Sequence, residues 1–110
     1  DVNIIKNDNL KVIQFMLNHG VSINAKIHLH GSVGITSMLV HAIDNKQCQL
    51  AKFLINKEAN VNFIRTGPTW EPSYKPYTAL MSARINCPAL VNLLLKKGAK
   101  AVDRNGNLIQ

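Results

Sequence analysis

The stretch Leu50-Ala-Lys-Phe-Leu-Ile-Asn-Lys-Glu58-Ala-Asn-Val-Asn62 decides how the chain is read. Leu50, Phe53 and Leu54 fall at helical spacing, a short polar step follows, and a hydrophobe closes the unit. The same order occurs upstream in Leu10-Lys-Val-Ile-Gln-Phe-Met-Leu-Asn-His-Gly20-Val-Ser-Ile-Asn24. It occurs downstream in Leu90-Val-Asn-Leu-Leu-Leu-Lys-Lys-Gly98-Ala-Lys-Ala-Val102. Gly20, Glu58 and Gly98 are equivalent positions, 38 and 40 residues apart. A fixed period of this size predicts a stacked array, and arrays of that kind serve as binding surfaces more than as catalytic pockets.

Each equivalent position lies just past a helix end, where a left-handed residue is common and glycine carries no steric cost. Glu58 stands where the other two units have glycine, so a mildly strained backbone or a different cap is expected there. Lys96 and Lys97 suit the negative end of the helix dipole, and Pro88 suits a first helical turn. Leu54 and Leu94 are predicted core positions. Thr36 and Thr78 are predicted helix caps.

Before the second and third runs stand Gly34-Ile-Thr-Ser-Met-Leu-Val-His-Ala42 and Pro76-Tyr-Thr-Ala-Leu-Met-Ser-Ala83. With the runs themselves these stretches resemble the ankyrin repeat, Gly-x-Thr-Pro-Leu-His-x-Ala, turn, Ile-Val-x-x-Leu-Leu, Gly-Ala-x-x-Asn. The likeness extends from about Lys6 to Asn107. It departs from the family at Ser37 and Ala79, in place of proline, and at Leu39 and Met81, in place of histidine. The fold that the resemblance implies is an all-α, ankyrin-like helical repeat solenoid of about three repeats with long β-hairpin/loop connectors. The expected units are residues 1–30, 31–70 and 71–102, with a fourth beginning at 103–110, where Asp103-Arg-Asn-Gly106 resembles the family's hairpin. All of it is one domain, read as an excerpt of a longer protein.

The family's period is about 33 residues, so the extra length falls in the connectors Ala25–Gly34 and Phe63–Tyr77. Such insertions map to exposed loops. The second connector holds the single Trp and both Tyr of the chain, interleaved with Arg65 and Lys75. These residue types dominate binding hot spots, and Pro68, Pro72 and Pro76 limit the entropy lost on contact. Trp70 and Tyr74 can equally fold back over the stack, and at least one ring is expected in each role. The resemblance places Ser32, Val33, Ile35 and Asp44 on the concave face of one unit, and Tyr74, Lys75, Tyr77 and Ile85 on that of the next. Arg104, Asn105 and Asn107 follow. Partner-binding residues are therefore expected at Ser32, Val33, Ile35, Asp44, Arg65, Trp70, Tyr74, Lys75, Tyr77, Ile85 and Arg104.

Catalytic chemistry finds no footing. Nucleophilic catalysis needs Ser or Cys beside a base and an orienting acid, and no such spacing occurs. Gly31-Ser-Val-Gly34 is too short for a phosphate loop. His28 and His30 alternate, so in a strand both face one side, but zinc wants four ligands and none lies nearby. No enzyme activity, cofactor, metal or small-molecule substrate is expected.

The net charge is +7. It is concentrated beyond residue 55, where eight Lys or Arg face three acids. Nucleic acid, an anionic membrane or an acidic protein partner fits that balance, although Asn, Lys and Ile abundance also follows from AT-rich codons. No apolar run approaches the ~18 residues of a membrane span. Cys48 and Cys87 occupy comparable places in successive units. Units about 10 Å apart are too far for a bridge, so reduced thiols and a cytoplasmic location are expected. The composition is similar in style to ankyrin proteins of intracellular bacteria and large DNA viruses, which implies an effector in host-cell cytoplasm. The expected function is protein–protein recognition. The alternatives are a basic nucleic-acid-binding surface and a targeting domain of a larger enzyme.

Overall fold

In the computed structural model, which describes residues 6–28, 34–67 and 75–109, Lys6–Asn18 form the first helix, α1. A hairpin follows, with β1 (Lys26–His28) antiparallel to β2 (Ile35–Ser37) and Ile27 opposite Thr36. Next come α2 (Met38–Asp44) and α3 (Cys48–Asn56), then α4 (Ala79–Asn86). A single 3-10 turn at Pro88–Leu90 leads into α5 (Val91–Lys96). β3 (Ala101–Val102) and β4 (Leu108–Ile109) close a second antiparallel hairpin.

The all-α solenoid expected from the repeats is therefore corrected: this is a small compact mixed α/β domain with five α-helices and two small sheets among the described residues. Its extents are 37 × 34 × 25 Å and its radius of gyration is 13.6 Å. About 13 Å is expected for a compact domain of this length. Two physical reasons account for the difference. Two short antiparallel sheets, β1 with β2 and β3 with β4, pack beside the helices. The helix pairs are also too few to make a body longer than it is wide.

The core lies between α2, α3, α4 and α5. α2 is only seven residues long and almost wholly apolar, with Met38, Leu39, Val40, Ala42 and Ile43 buried. A helix apolar around most of its circumference has neighbours on every side, and α2 packs on both α3 and α4. Its start is fixed by Ser37, whose hydroxyl accepts from the Val40 amide at 3.2 Å. The expected cap, Thr36, is buried one residue too early. Thr78 does occupy the residue before α4, but its hydroxyl donates to the Lys100 carbonyl, 2.5 Å away, and makes no capping bond. Leu54 and Leu94 are fully buried, as their register predicts.

The three runs stop in the same way. Glu58 N–H donates to Ile55 and Ala59 N–H to Leu54; Gly98 and Ala99 do the same to Leu95 and Leu94, and Gly20 and Val21 to Leu17 and Met16. This is the paired closure of a helix by a left-handed residue. Glu58 adopts it at φ 67°, beside 93° and 86° at Gly20 and Gly98, so of the two alternatives the cap is the same and the backbone is left-handed.

Residues 36–39 apart then meet. Asn24 Oδ1 accepts from the Asn60 amide at 2.8 Å. Asn62 Oδ1 accepts from the Lys100 amide at 2.8 Å, and its Nδ2 donates to the Gly98 carbonyl. Lys97 pairs with Glu58 at 3.0 Å. Cys48 and Cys87 form a disulfide, with Cα atoms 5.8 Å apart. That corrects the expectation of reduced thiols. A spacing of about 10 Å holds between helix axes, whereas Cys48 opens α3 and Cys87 lies in the bend between α4 and the 3-10 turn, where chain ends approach more closely.

Candidate binding cleft

The second connector is closed at its base. Arg65 and Tyr77 exchange backbone hydrogen bonds, at 2.9 and 3.3 Å. The first hairpin joins it through Ile35 and Thr66, whose amides and carbonyls pair at 3.1 Å in both directions. Gly34 makes that approach possible. At φ 116°, a Cβ there would lie 1.9 Å from the Thr66 carbonyl oxygen. No side chain can occupy that space without moving backbone.

With this base fixed, the side chains of Arg65 and Tyr77 turn toward the end of α2. The Tyr77 hydroxyl donates to Asp44 Oδ2 at 2.7 Å. The Ser82 hydroxyl donates to Asp44 Oδ1 and accepts from Asn86 Nδ2 at 3.1 Å. Arg65 Nε lies 3.9 Å from Asp44 Oδ2, with its guanidinium carbon 5.5 Å from the Tyr77 ring centre. Both members of that pair are largely shielded from solvent, so it is less screened than a surface ion pair. Hydrogen bonds to a charged acceptor are among the strong ones. Asp44 thus locks α2, α4 and the second connector into one rigid corner.

Over this corner opens a cleft of about 360 Å³, lined by Asp44, Lys75, Pro76, Tyr77, Met81, Ser82, Ile85 and Asn86. Its wall is apolar: Pro76, the Tyr77 ring, Met81 and Ile85. Ile85 is 80% exposed, the most exposed large hydrophobic residue among those described. Met81 is held against β3, where its sulfur lies 3.4 Å from the Val102 amide. The β3–β4 turn borders the cleft as well, since a Cβ on Gly106 would stand 3.5 Å from the Pro76 ring. Arg104 is exposed on that turn.

Five of the residues singled out from sequence, Asp44, Arg65, Lys75, Tyr77 and Ile85, are therefore brought to one place, with Arg104 on the adjoining turn. Ile35 is not among them; it is half-buried at the junction of the two hairpins. Ser32, Val33, Trp70 and Tyr74 lie outside the described residues, as does His30 of the His-x-His pair. Sequence reasoning missed Pro76, Met81, Ser82 and Asn86 as site residues. The signal was present in the spacing: Met81 with Ile85, and Ser82 with Asn86, are pairs four apart on α4 and so share a face.

The Asp103–Gly106 turn is internally bonded. Asp103 Oδ1 accepts from the Asn105 and Asn107 amides at 2.9 and 3.0 Å. The Asn107 amide, ahead of that of Asn105, holds the Asp103 carboxyl below its usual value of 3.8.

Among the described residues, no three His, Cys, Asp or Glu side chains are grouped so as to hold a metal ion. No helix there is long and apolar enough to cross a membrane. In comparisons with known proteins, no family model matches the chain, and no curated protein was found to match it.

Proposed function

We propose that the chain is a binding module that recognises another protein through the cleft over Asp44 and the hairpins beside it. The observation that carries this reading is Ile85. A large aliphatic side chain left 80% exposed, beside the Met81 and Tyr77 wall and above a hydrogen-bonded corner, has the form of a contact surface: an apolar centre with polar groups at its edge. Rigid presentation is the mechanism. The corner is assembled before contact, so little conformational entropy is lost on binding.

For location, the Cys48–Cys87 bond has the most weight. Disulfides persist in oxidising compartments. That favours such a compartment over the cytoplasm of a host cell, to which the likeness in composition pointed.

Affinity capture with the full chain, run beside Ile85→Asp, tests the reading. Any captured protein is then titrated directly against both. Binding that weakens about tenfold or more on Ile85→Asp, with the melting temperature unchanged, supports the module. Direct binding that is indifferent to Ile85→Asp overturns the cleft as its surface.

A further inference from the structure

We infer that the cleft takes a short acidic peptide segment anchored by one apolar side chain. This rests on the protein-binding reading above and specifies the chemistry of the partner.

The cleft's own acid is already engaged. Asp44 receives the Tyr77 and Ser82 hydroxyls on its two oxygens and has the Arg65 guanidinium beside it. Its charge is balanced within the chain, so it offers a poor seat for a lysine or arginine of a partner. The rim has the opposite character. Lys75 is exposed and has no ion pair among the described residues. Arg104 stands on the turn that abuts Pro76. The chain as a whole has 13 Lys and Arg against six acids, so the long-range field draws anions.

Between the rim and the corner lies the apolar wall of Pro76, Tyr77, Met81 and Ile85. About 360 Å³ is at the small end for ligand pockets, a size for one or two side chains. An aliphatic or aromatic residue in that space, with Asp or Glu flanking it, satisfies wall and rim together.

Nucleic acid fits less well. A single strand bound without sequence readout needs aromatic faces on which bases stack. Among the described residues the cleft offers the Tyr77 ring alone, and the Arg65 guanidinium lies over it at 5.5 Å.

The test pans a random short-peptide library on the full chain. Enriched peptides are then made synthetically and titrated against the wild type, Ile85→Asp and Lys75→Glu, with an unlabelled single-stranded oligonucleotide as competitor. Both variants change exposed side chains, and melting curves verify that they fold. The expected peptides share an apolar residue flanked by Asp or Glu. They bind Ile85→Asp about tenfold or more weakly and Lys75→Glu about threefold or more weakly. Replacing their acids by Lys abolishes binding. Peptides that need Ile85 but show no acidic excess, or that bind Lys75→Glu undiminished, overturn this inference and leave the protein-binding reading standing. If no enriched peptide depends on Ile85, or if the oligonucleotide displaces those that do, both fall.

Discussion

The Tyr77 hydroxyl and the Asp44 carboxylate, 33 residues apart, meet at 2.7 Å. That bond is where the second connector is tied to α2. Tyr77→Phe keeps the ring that forms the cleft wall and removes only the donor. A hydrogen bond to a charged acceptor contributes about 1.5–3 kcal/mol, and partial exposure of Asp44 puts this one toward the lower figure. The expected result is a melting temperature lower by roughly 5–10 °C. An unchanged melting curve would mean that water replaces the hydroxyl without loss.

Gly34→Ala places a methyl group where the Thr66 carbonyl oxygen stands, 1.9 Å from the ideal Cβ. The backbone also has a positive φ there, which adds strain for any L side chain. The Ile35–Thr66 bridge should break. Faster amide exchange at Ile35 and Thr66, beyond that of the α2 amides, checks this. Unaltered protection at both amides would contradict the close approach.

The disulfide spans 39 residues, and a loop of that length stabilises by about 3–4 kcal/mol in the chain-entropy model. Adding reductant, or replacing both Cys48 and Cys87 by Ser, should lower the melting temperature by more than Tyr77→Phe does. Thiol titration of the untreated, unfolded protein should find no free thiol. Two titratable thiols with no effect of reductant would refute the bond.

Much of this was legible in the sequence, and the limits are physical. Leu54 and Leu94 are recoverable because an amphipathic helix repeats its buried face every three to four residues. The left-handed turn at Glu58 is recoverable because Gly20 and Gly98 mark the equivalent places. Hairpins are expected from the resemblance, but the bounds of their strands are not legible. Runs of two or three residues, such as Ile35–Ser37 and Ala101–Val102, are too short for alternation to show, so the pattern alone reads as all-α. The Cys48–Cys87 bond was missed because helix spacing says little about how closely helix ends approach. Asp44, Tyr77 and Ile85 were named individually. That Asp44 is satisfied from within by Tyr77, Ser82 and Arg65 depends on χ angles and connector closure, which no spacing encodes.

Asp103 gives the second hairpin a pH dependence of known sign. Its carboxyl lies below the usual 3.8 in the folded chain, chiefly through the Asn107 amide. A depressed folded value means that the carboxylate's stabilising bonds are fully present above the unfolded value and are lost as pH falls through the folded one. Acidification below about pH 4 should therefore loosen the β3–β4 turn, read as faster exchange of the Asn105 and Asn107 amides. In Asp103→Ala that acid-dependent change should vanish. Exchange at those amides that is independent of pH after correction for intrinsic rates would contradict the assignment.

Chemical-shift mapping tests the binding cleft most directly. An isotope-labelled full chain is titrated with a peptide that the wild type selects, and every assigned amide and methyl group is followed. The largest changes are expected at Lys75, Tyr77, Met81 and Ile85, with smaller ones at Arg104 and little at the outer faces of α1 and α3. Saturable changes confined to α1 and α3, with the Met81 and Ile85 methyl signals stationary, would contradict the account.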